Sequence, residues 1–222
     1  MSDPIQNKQG YFITFEGPDG GGKTTQIRLL AEALQAQNHR VLLTREPGGT
    51  TIGGSIRSLL LDPAHTDMNP RAEALLFNAA RAQLVHQAIR PALAEGQIIL
   101  CDRFADSTLA YQGYGYTTDP IEQAQRLTAL RQIIDFATDS LRPNLTIYLD
   151  IDPEQGIQRK LSDTEGEWNR LDAQALQFHQ AVHHGYQQLI KADPERWFVV
   201  DATQTVETIH EIIWTRVLNT IQ

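Results

Sequence analysis

The chain has little of what a secreted or membrane protein needs. Cys101 is the one cysteine among 222 residues, so no intramolecular disulfide can form, which is typical of a reducing compartment. No apolar run approaches the roughly 18 residues that a membrane-spanning helix requires. The polar segment Met1–Gly10 lacks the apolar centre of a signal peptide. We therefore expect a cytoplasmic protein with no membrane partner.

Basic residues are also scarce. The chain has 19 lysines and arginines against 27 acidic residues, for a net charge of −8. This balance argues against non-specific binding to nucleic acid or to an anionic membrane. The length suits one domain, and no internal repeat, low-complexity tract or linker divides it. We expect a single domain over residues 1–222.

A glycine-rich phosphate loop is the strongest motif present. Residues 17–24 match the pattern G-x-x-x-x-G-K-[ST], in which glycines let backbone N–H groups turn toward phosphate oxygens. The lysine reaches the β- and γ-phosphates, and the threonine hydroxyl can ligate Mg²⁺. The residues predicted to bind a nucleoside triphosphate here are Gly17, Pro18, Asp19, Gly20, Gly21, Gly22, Lys23, Thr24 and Thr25.

Short apolar runs alternate with helical patterns along the chain, which predicts an α/β fold with a parallel sheet. The expected strands are Tyr11–Glu16, Arg40–Thr44, Gln97–Cys101, Leu145–Asp150 and Trp197–Val200. The expected helices after the phosphate loop are Arg71–Glu95 with a kink or restart at Pro91, Glu122–Thr138, Ala173–Lys191 and Val206–Leu218. Residues 111–116 have the composition of a loop.

Charged residues at the strand ends indicate a shared cleft, because ligands bind beyond the carboxyl ends of parallel strands. Asp102 follows an apolar run, as does the aspartate that supports Mg²⁺ in phosphate-loop proteins. Arg103, Arg45 and Arg57 suggest a second anion site beside the first, since a guanidinium suits bidentate contact with phosphate. Ordinary surface salt bridges are the alternative for these arginines.

Two further groups have two readings each. Phe77 and Arg81 share one helix face and could stack a planar base and bind its edge, or could be a core phenylalanine and an arginine that extends to solvent. Arg159–Lys160 and Arg170 flank the polar stretch 162–169, which suits a mobile lid or a solvated loop. A third group, His179 and His183, lacks the H-E-x-x-H metal pattern, so we expect a packing role.

Read together, these motifs resemble the thymidylate kinase family along nearly the whole chain. The stretches that carry the resemblance are residues 15–26 (FEGPDGGGKTTQ), 44–50 (TREPGGT), 73–81 (EALLFNAAR), 102–113 (DRFADSTLAYQG), 169–172 (NRLD) and 201–204 (DATQ). The phosphate loop is shared by many proteins, whereas the second and fourth stretches are much more specific.

The resemblance implies a three-layer P-loop NTPase fold: a five-stranded parallel sheet flanked by helices, with a mobile lid at about residues 159–171. It implies a nucleoside monophosphate kinase-like domain that phosphorylates dTMP to dTDP with ATP and Mg²⁺, in the pathway that supplies dTTP for DNA synthesis. It also implies a homodimer and a cis peptide before Pro47.

The resemblance further implies a role for individual residues. The catalytic residues would be Lys23, Asp102, Arg103, Arg159 and Arg170. Arg159 would also clamp adenine. The metal would be held by Thr24 and Asp102, directly or through water. The dTMP phosphate would bind Arg103, with Arg45 and Arg57 as helpers. The sugar would meet Asp19 at its 3′-hydroxyl and Tyr111 at its 2′ position. Thymine would stack on Phe77, with Arg81 at O4 and with Ser107, Thr108 and Gln112 also at the base.

Some alternatives stay open at this stage. The acceptor phosphate is already anionic, so positioning and charge neutralisation would suffice without a general base. Residues 162–169 contain no basic residue, so the cation nearest the transferred phosphoryl group could be Lys160, Arg159 or Arg170. A kinase for another nucleoside monophosphate and a regulatory ATPase remain rival functions.

Overall fold

A computed structural model of the chain describes residues 10–162 and 169–221. Its five-stranded sheet is entirely parallel, with the strand order β2-β3-β1-β4-β5. The strands are β1 (Tyr11–Glu16), β2 (Val41–Arg45), β3 (Ile98–Asp102), β4 (Leu145–Asp150) and β5 (Trp197–Asp201). All five strands were expected, and the ends of β2, β3 and β5 lie one residue further along the chain. Arg45, Asp102 and Asp201 are therefore the last residues of their strands.

Helices connect the strands on both faces of the sheet. They are α1 (Lys23–Ala36), α2 (Thr51–Leu61), α3 (Pro70–Leu84), α4 (Arg90–Ala94), α5 (Ala105–Thr108), α6 (Pro120–Thr138), α7 (Pro153–Ser162), α8 (Leu176–Ala192) and α9 (Val206–Ile221). No helix within the described ranges is long and apolar enough to cross a bilayer.

Two stretches differ from the sequence-based expectation. The helix expected over 71–95 is three successive pieces, because a π-helical turn at Val85–Ile89 separates α3 from α4. Residues 109–114 are π-helical and continue α5, so the loop expected at 111–116 is wrong over most of its length. The glycines and tyrosines there suggested a loop, but Tyr111 and Tyr114 are buried. Their burial stabilises a wide helical turn of the kind often found at functional sites.

The core divides into layers because successive strand residues face opposite sides. Ile13, Leu100 and Ile147 point toward α1 and α9, in one cluster with Leu30 and Ile213. Their neighbours in sequence, Phe12, Ile99 and Tyr148, face the other helical layer. Since both faces are covered, the sheet is fixed in place, and the residues at its carboxyl edge are held in register. Phe15 and Arg45 each lie opposite Asp102 there.

Candidate active site

The phosphate loop joins β1 to α1 in the strand–loop–helix arrangement that the motif requires. Gly22 adopts a left-handed φ of 83° just before α1, and its carbonyl accepts the first helical hydrogen bond from Gln26. Gly20 also has a positive φ, 75°, and lies so close to the backbone of Gly156 in α7 that a Cβ would overlap it. The loop is therefore packed against α7, the helix that carries Arg159 and Lys160.

Lys23 is buried at the start of α1 with its ammonium turned into the loop. Its Nζ donates to the carbonyls of Gly17 and Pro18, at 3.0 and 2.8 Å, and lies 3.9 Å from Asp19 Oδ1. Burial and the neighbouring charge of Arg103 lower the pKa of Lys23 to about 8. A cation held at this point is suited to triphosphate, whose added negative charge raises such a pKa.

Thr24 and Asp102 meet at the carboxyl edge of β3. The Thr24 hydroxyl donates to Asp102 Oδ2 at 3.3 Å, where solvent reaches both groups. Hydroxyl and carboxylate oxygens are hard ligands that fit Mg²⁺, which binds through one or two protein groups together with phosphates and water. Within residues 10–162 and 169–221, no cluster of three or more acidic, histidine or cysteine ligands offers a metal cage. The donor set thus fits a nucleotide-bound Mg²⁺.

Arg103 lies at the centre of the cleft in an unusual backbone conformation. Its φ is +67°, and its N–H donates to the Phe15 carbonyl at 2.9 Å, which continues the pairing of β3 with β1. The guanidinium donates to Asp19 at 3.0 Å and lies 5.2 Å from the ring centroid of Tyr111. A left-handed conformation costs energy for a residue with a side chain, and such strain concentrates at functional sites.

A buried carboxylate beneath Arg103 organises the groups around it. Glu16 Oε2 accepts from Ser107 at 2.6 Å and from Tyr186 at 2.7 Å, and Oε1 accepts from the backbone N–H of Phe104. Both hydroxyls also accept from Arg103. Ser107, which the resemblance assigns to the base, lies beside Arg103 and donates to Glu16.

Asp19 faces Arg103 from the phosphate loop and borders a small cavity. Burial alone would raise the pKa of Asp19, but Arg103, Lys23 and Lys160 together hold that pKa below its usual range. The cavity is also lined by Tyr111, Lys160 and Asp172. Lys160 Nζ lies 2.7 Å from both carboxylate oxygens of Asp172, which joins α7 to the segment before α8.

Arg81 is fully buried. It is therefore not the arginine extending to solvent that was one of the two interpretations of the sequence. Its Nε and Nη2 lie 2.8 and 2.7 Å from Glu46 Oε2. Nη2 also donates to the Thr108 hydroxyl at 3.0 Å, and Nη1 donates to Asn78 Oδ1. Burial raises the pKa of Glu46 to about 7 despite the lowering effect of Arg81, and its Oε1 has no partner. Arg81 is thus fixed across the contact between α3 and the helix that starts with α5, which we call the α3–α5 seam.

A second buried carboxylate crosses the same seam two turns earlier on α3. Glu73 Oε1 accepts from Gln112 Nε2 at 2.8 Å, and both Glu73 oxygens accept from the Tyr116 hydroxyl. Arg170 completes this group by pairing with Glu73 Oε2, and its Nε donates to the Leu60 carbonyl at 3.1 Å. Arg170, which was expected as a catalytic lid cation, is buried here and pairs with Glu73.

The remaining predicted contacts lie around these two crossings. Phe77 is half-buried on the same face of α3, between Glu73 and Arg81 in sequence. Arg45 is exposed at the end of β2, opposite Asp102. Arg57 Nη1 donates to the Pro47 carbonyl at 3.2 Å, and the Glu46–Pro47 peptide is cis as expected.

The donor end of the cleft is bounded by α7 and the turn after β5. Arg159 Nη1 donates to the Ala202 carbonyl at 2.8 Å. Residues 163–168, the middle of the expected lid at 159–171, lie outside the described residues. His183 Nε2 lies 2.8 Å from Asp150 Oδ1, whereas the ring of His179 packs edge-on against Phe178, so the two histidines face different partners.

Four side chains in this site were missed in the sequence reasoning: Glu16, Glu46, Glu73 and Tyr186. Each is almost entirely buried and holds another site residue in place. A sequence signal existed for two of them. Glu16 is a charged residue that directly ends an apolar strand, and Glu73 lies at i−4 from Phe77 and i−8 from Arg81, hence on the same helix face. Glu46 and Tyr186 give no comparable signal.

A phosphate loop with its lysine and threonine at one end of a parallel sheet, beside an arginine-centred second site, defines a P-loop kinase of small phosphorylated acceptors. A family model described as thymidylate kinase matches residues 15–213. The chain belongs to the thymidylate kinase family.

Similar proteins extend over nearly the full length of the chain. It is 54% identical over 212 residues to a thymidylate kinase of Roseiflexus sp. strain RS-1, covering 91% of each chain. Identity to the thymidylate kinase of Bacillus licheniformis is 48% over 200 residues, covering 90% and 91% of the two chains. The crystal structure of thymidylate kinase from Ehrlichia chaffeensis matches with a TM-score of 0.71 and 34% identity, covering 94% of this chain and 98% of that one.

Proposed function

We propose that this chain transfers the γ-phosphoryl group of ATP to dTMP, producing dTDP on the route to dTTP for DNA synthesis. The observation that carries this proposal is the position of Arg103. Its guanidinium lies between the phosphate loop, through Asp19, and the helix that continues into the α3–α5 seam. One cleft can therefore hold two phosphate chains end to end, with a planar base at the seam.

On the donor side, Lys23 binds the β- and γ-phosphates, and the backbone of residues 17–25 wraps around them. Thr24 and Asp102 would hold Mg²⁺, directly or through water. When bound, this ion neutralises charge on the phosphates. Arg159 clamps the adenine against the turn at Ala202, whose carbonyl already accepts from its guanidinium.

On the acceptor side, Arg103 binds the dTMP phosphate, and Arg45 and Arg57 assist from the end of β2 and from α2. Asp19 accepts from the 3′-hydroxyl of the sugar, and Tyr111 crowds its 2′ position. Thymine stacks on Phe77, with the residues of the seam at its edge: Arg81, Thr108 and Gln112. Ser107 contacts the base beside them, and its hydroxyl also accepts from Arg103 and donates to Glu16.

The transfer needs no proton acceptor, because the attacking oxygen belongs to a phosphate that is anionic at neutral pH. The chain contributes alignment of the two phosphates and neutralisation of the charge between them. Of the three lid cations, Lys160 has the best position for this, since it borders the cavity that Asp19 and Tyr111 also line. Asp172 holds its ammonium there.

The decisive experiment measures ADP release with ATP and Mg²⁺ against dTMP, dUMP, dCMP, dAMP and dGMP. We expect dTMP to have the highest kcat/KM by at least about tenfold, which one or two selective hydrogen bonds can supply. A different preferred acceptor would indicate another monophosphate kinase. ATP turnover that no acceptor stimulates would indicate a regulatory ATPase.

We further propose a homodimer built on the outer surface of α2, α3 and α6. These neighbouring helices expose large apolar side chains: Ile52, Leu59, Leu75, Ile121 and Phe136, of which Phe136 is 88% exposed. Light scattering after size exclusion tests this. Leu75→Glu should yield monomers, whereas Val199→Glu, at an exposed position on β5, should not. A monomeric parent protein would contradict the proposal.

We also propose that the enzyme is cytoplasmic. Its single cysteine is buried and forms no disulfide, as suits a reducing compartment. Cell fractionation with an antibody against the chain would test this location.

A further inference from the structure

We propose that Glu73 is a positioning residue that fixes the Gln112 amide with its oxygen toward the base, so that the site accepts the N3–H of a diketo pyrimidine. This inference rests on the proposed function and adds a residue to it. Its basis is the direction of the hydrogen bonds at Glu73, which is buried in the α3–α5 seam and accepts from Gln112 and Tyr116.

Glu73 is fully buried, where it pairs with the Arg170 guanidinium and accepts from the Tyr116 hydroxyl. Burial first, and then the charge of Glu73, raise the pKa of Tyr116, so this phenol stays protonated and donates. A carboxylate accepts hydrogen bonds and cannot donate them. The group that Gln112 presents at 2.8 Å from Glu73 Oε1 must therefore be its NH₂.

With one N–H of its NH₂ engaged by Glu73, Gln112 is held in the orientation that leaves its amide oxygen as an acceptor for a ligand. Among the described residues, no donor reaches that oxygen. The backbone of Gln112 is also held, because its carbonyl accepts from Arg126 Nε and Nη2. Rotation of the amide by half a turn would place oxygen against carboxylate in a buried site, which is strongly unfavourable.

The two ends of the α3–α5 seam offer a ligand opposite kinds of hydrogen-bonding group. At one end Arg81 brings donors, which suit a carbonyl oxygen such as O4. At the other end Gln112 brings an acceptor, which suits an N–H. Phe77 lies between them on α3. A diketo pyrimidine has this arrangement, O4 next to N3–H, whereas cytosine has an amine next to an unprotonated N3 and presents the reverse.

The variant Glu73→Gln removes the constraint while keeping the shape. A glutamine at 73 can donate as well as accept, so the Gln112 amide can turn over. We expect the dTMP KM to rise about tenfold, with kcat and the ATP KM within about twofold of the parent. The inhibition constant of dCMP should stay unchanged or fall, so its ratio to the dTMP KM drops about tenfold. Glu32→Gln, an exposed carboxylate paired with Arg28 on α1, is the matched control and should change none of these.

A double-mutant cycle decides whether Glu73 acts through Gln112. In a Gln112→Ala background, Glu73→Gln should change the dTMP KM less than twofold. An equal rise in both backgrounds, or equal weakening of dTMP and dCMP, would overturn the inference and leave Glu73 as a purely structural residue. Should thermal melting show that Glu73→Gln does not fold, the same cycle is run with Arg170→Met present, which removes the unpaired guanidinium. A parent enzyme that ignores dTMP would instead defeat the proposed function.

Discussion

Replacing Arg81 by methionine should weaken dTMP binding and destabilise the fold by separate routes. Loss of a charged contact to the base costs about 2 kcal/mol, or roughly thirtyfold in KM. The same change leaves Glu46 buried without its counter-charge. Breaking a buried ion pair in this way costs about 3–5 kcal/mol of the free energy of unfolding, a large part of a single domain's stability.

The destabilisation should depend on pH in a direction that the structure sets. Glu46 already has a folded pKa near 7, above its ordinary value of 4.5, and removal of Arg81 takes away an interaction that lowers it. A carboxyl whose pKa is raised on folding contributes its full stabilisation below its unfolded pKa and loses it as the pH rises through the folded value. Arg81→Met should therefore be better tolerated at pH 6 than at pH 8.5.

The double variant Glu46→Gln with Arg81→Met separates the two effects. Removal of both charges should recover most of the unfolding free energy, measured by urea denaturation, while the dTMP KM stays about thirtyfold high. Melting and dTMP KM both equal to the parent in Arg81→Met would refute the reasoning. So would a double variant that is no more stable than the single one.

Other predictions concern the phosphate loop. Lys23→Ala should reduce kcat at least about a thousandfold with unchanged circular dichroism, because the charge on the transferred phosphoryl group loses its fixed cation; near-parental turnover would contradict this. The pKa of Lys23 is lowered to about 8, so kcat/KM for ATP should fall above that pH as the ammonium loses its proton. The fall in kcat should come only at higher pH, because bound triphosphate raises the pKa of Lys23. An identical limb in both profiles would exclude Lys23 as its source. Gly20→Ala should impair ATP binding and lower the melting temperature, because Gly20 has a positive φ and the added Cβ would overlap the Gly156 backbone. The control Gly54→Ala on α2 has open space around the added Cβ and should be neutral or stabilising. Equal effects of the two variants would show that the loop can move away from α7.

The sequence by itself determined the parts of this protein that depend on local spacing. Alternation of apolar runs and helical patterns predicted all five strands and the parallel sheet, because buried strands and amphipathic helices have different periods. The glycine loop predicted the phosphate site for the same reason: its function depends on consecutive residues. The resemblance carried by residues 44–50 and 102–113 identified the family that the comparisons show.

Only the tertiary structure decided which charged groups meet. Arg170, at the end of the expected lid segment, pairs with Glu73 on α3, and Ser107 donates to Glu16 on β1. Residues 109–114, which overlap the loop expected at 111–116, are helical because Tyr111 and Tyr114 pack inward. Such contacts join residues roughly a hundred positions apart, and no local spacing encodes them. The sequence predicted a phosphate loop from consecutive residues, whereas the fold determined what holds Arg103, Arg81 and Gln112 in position.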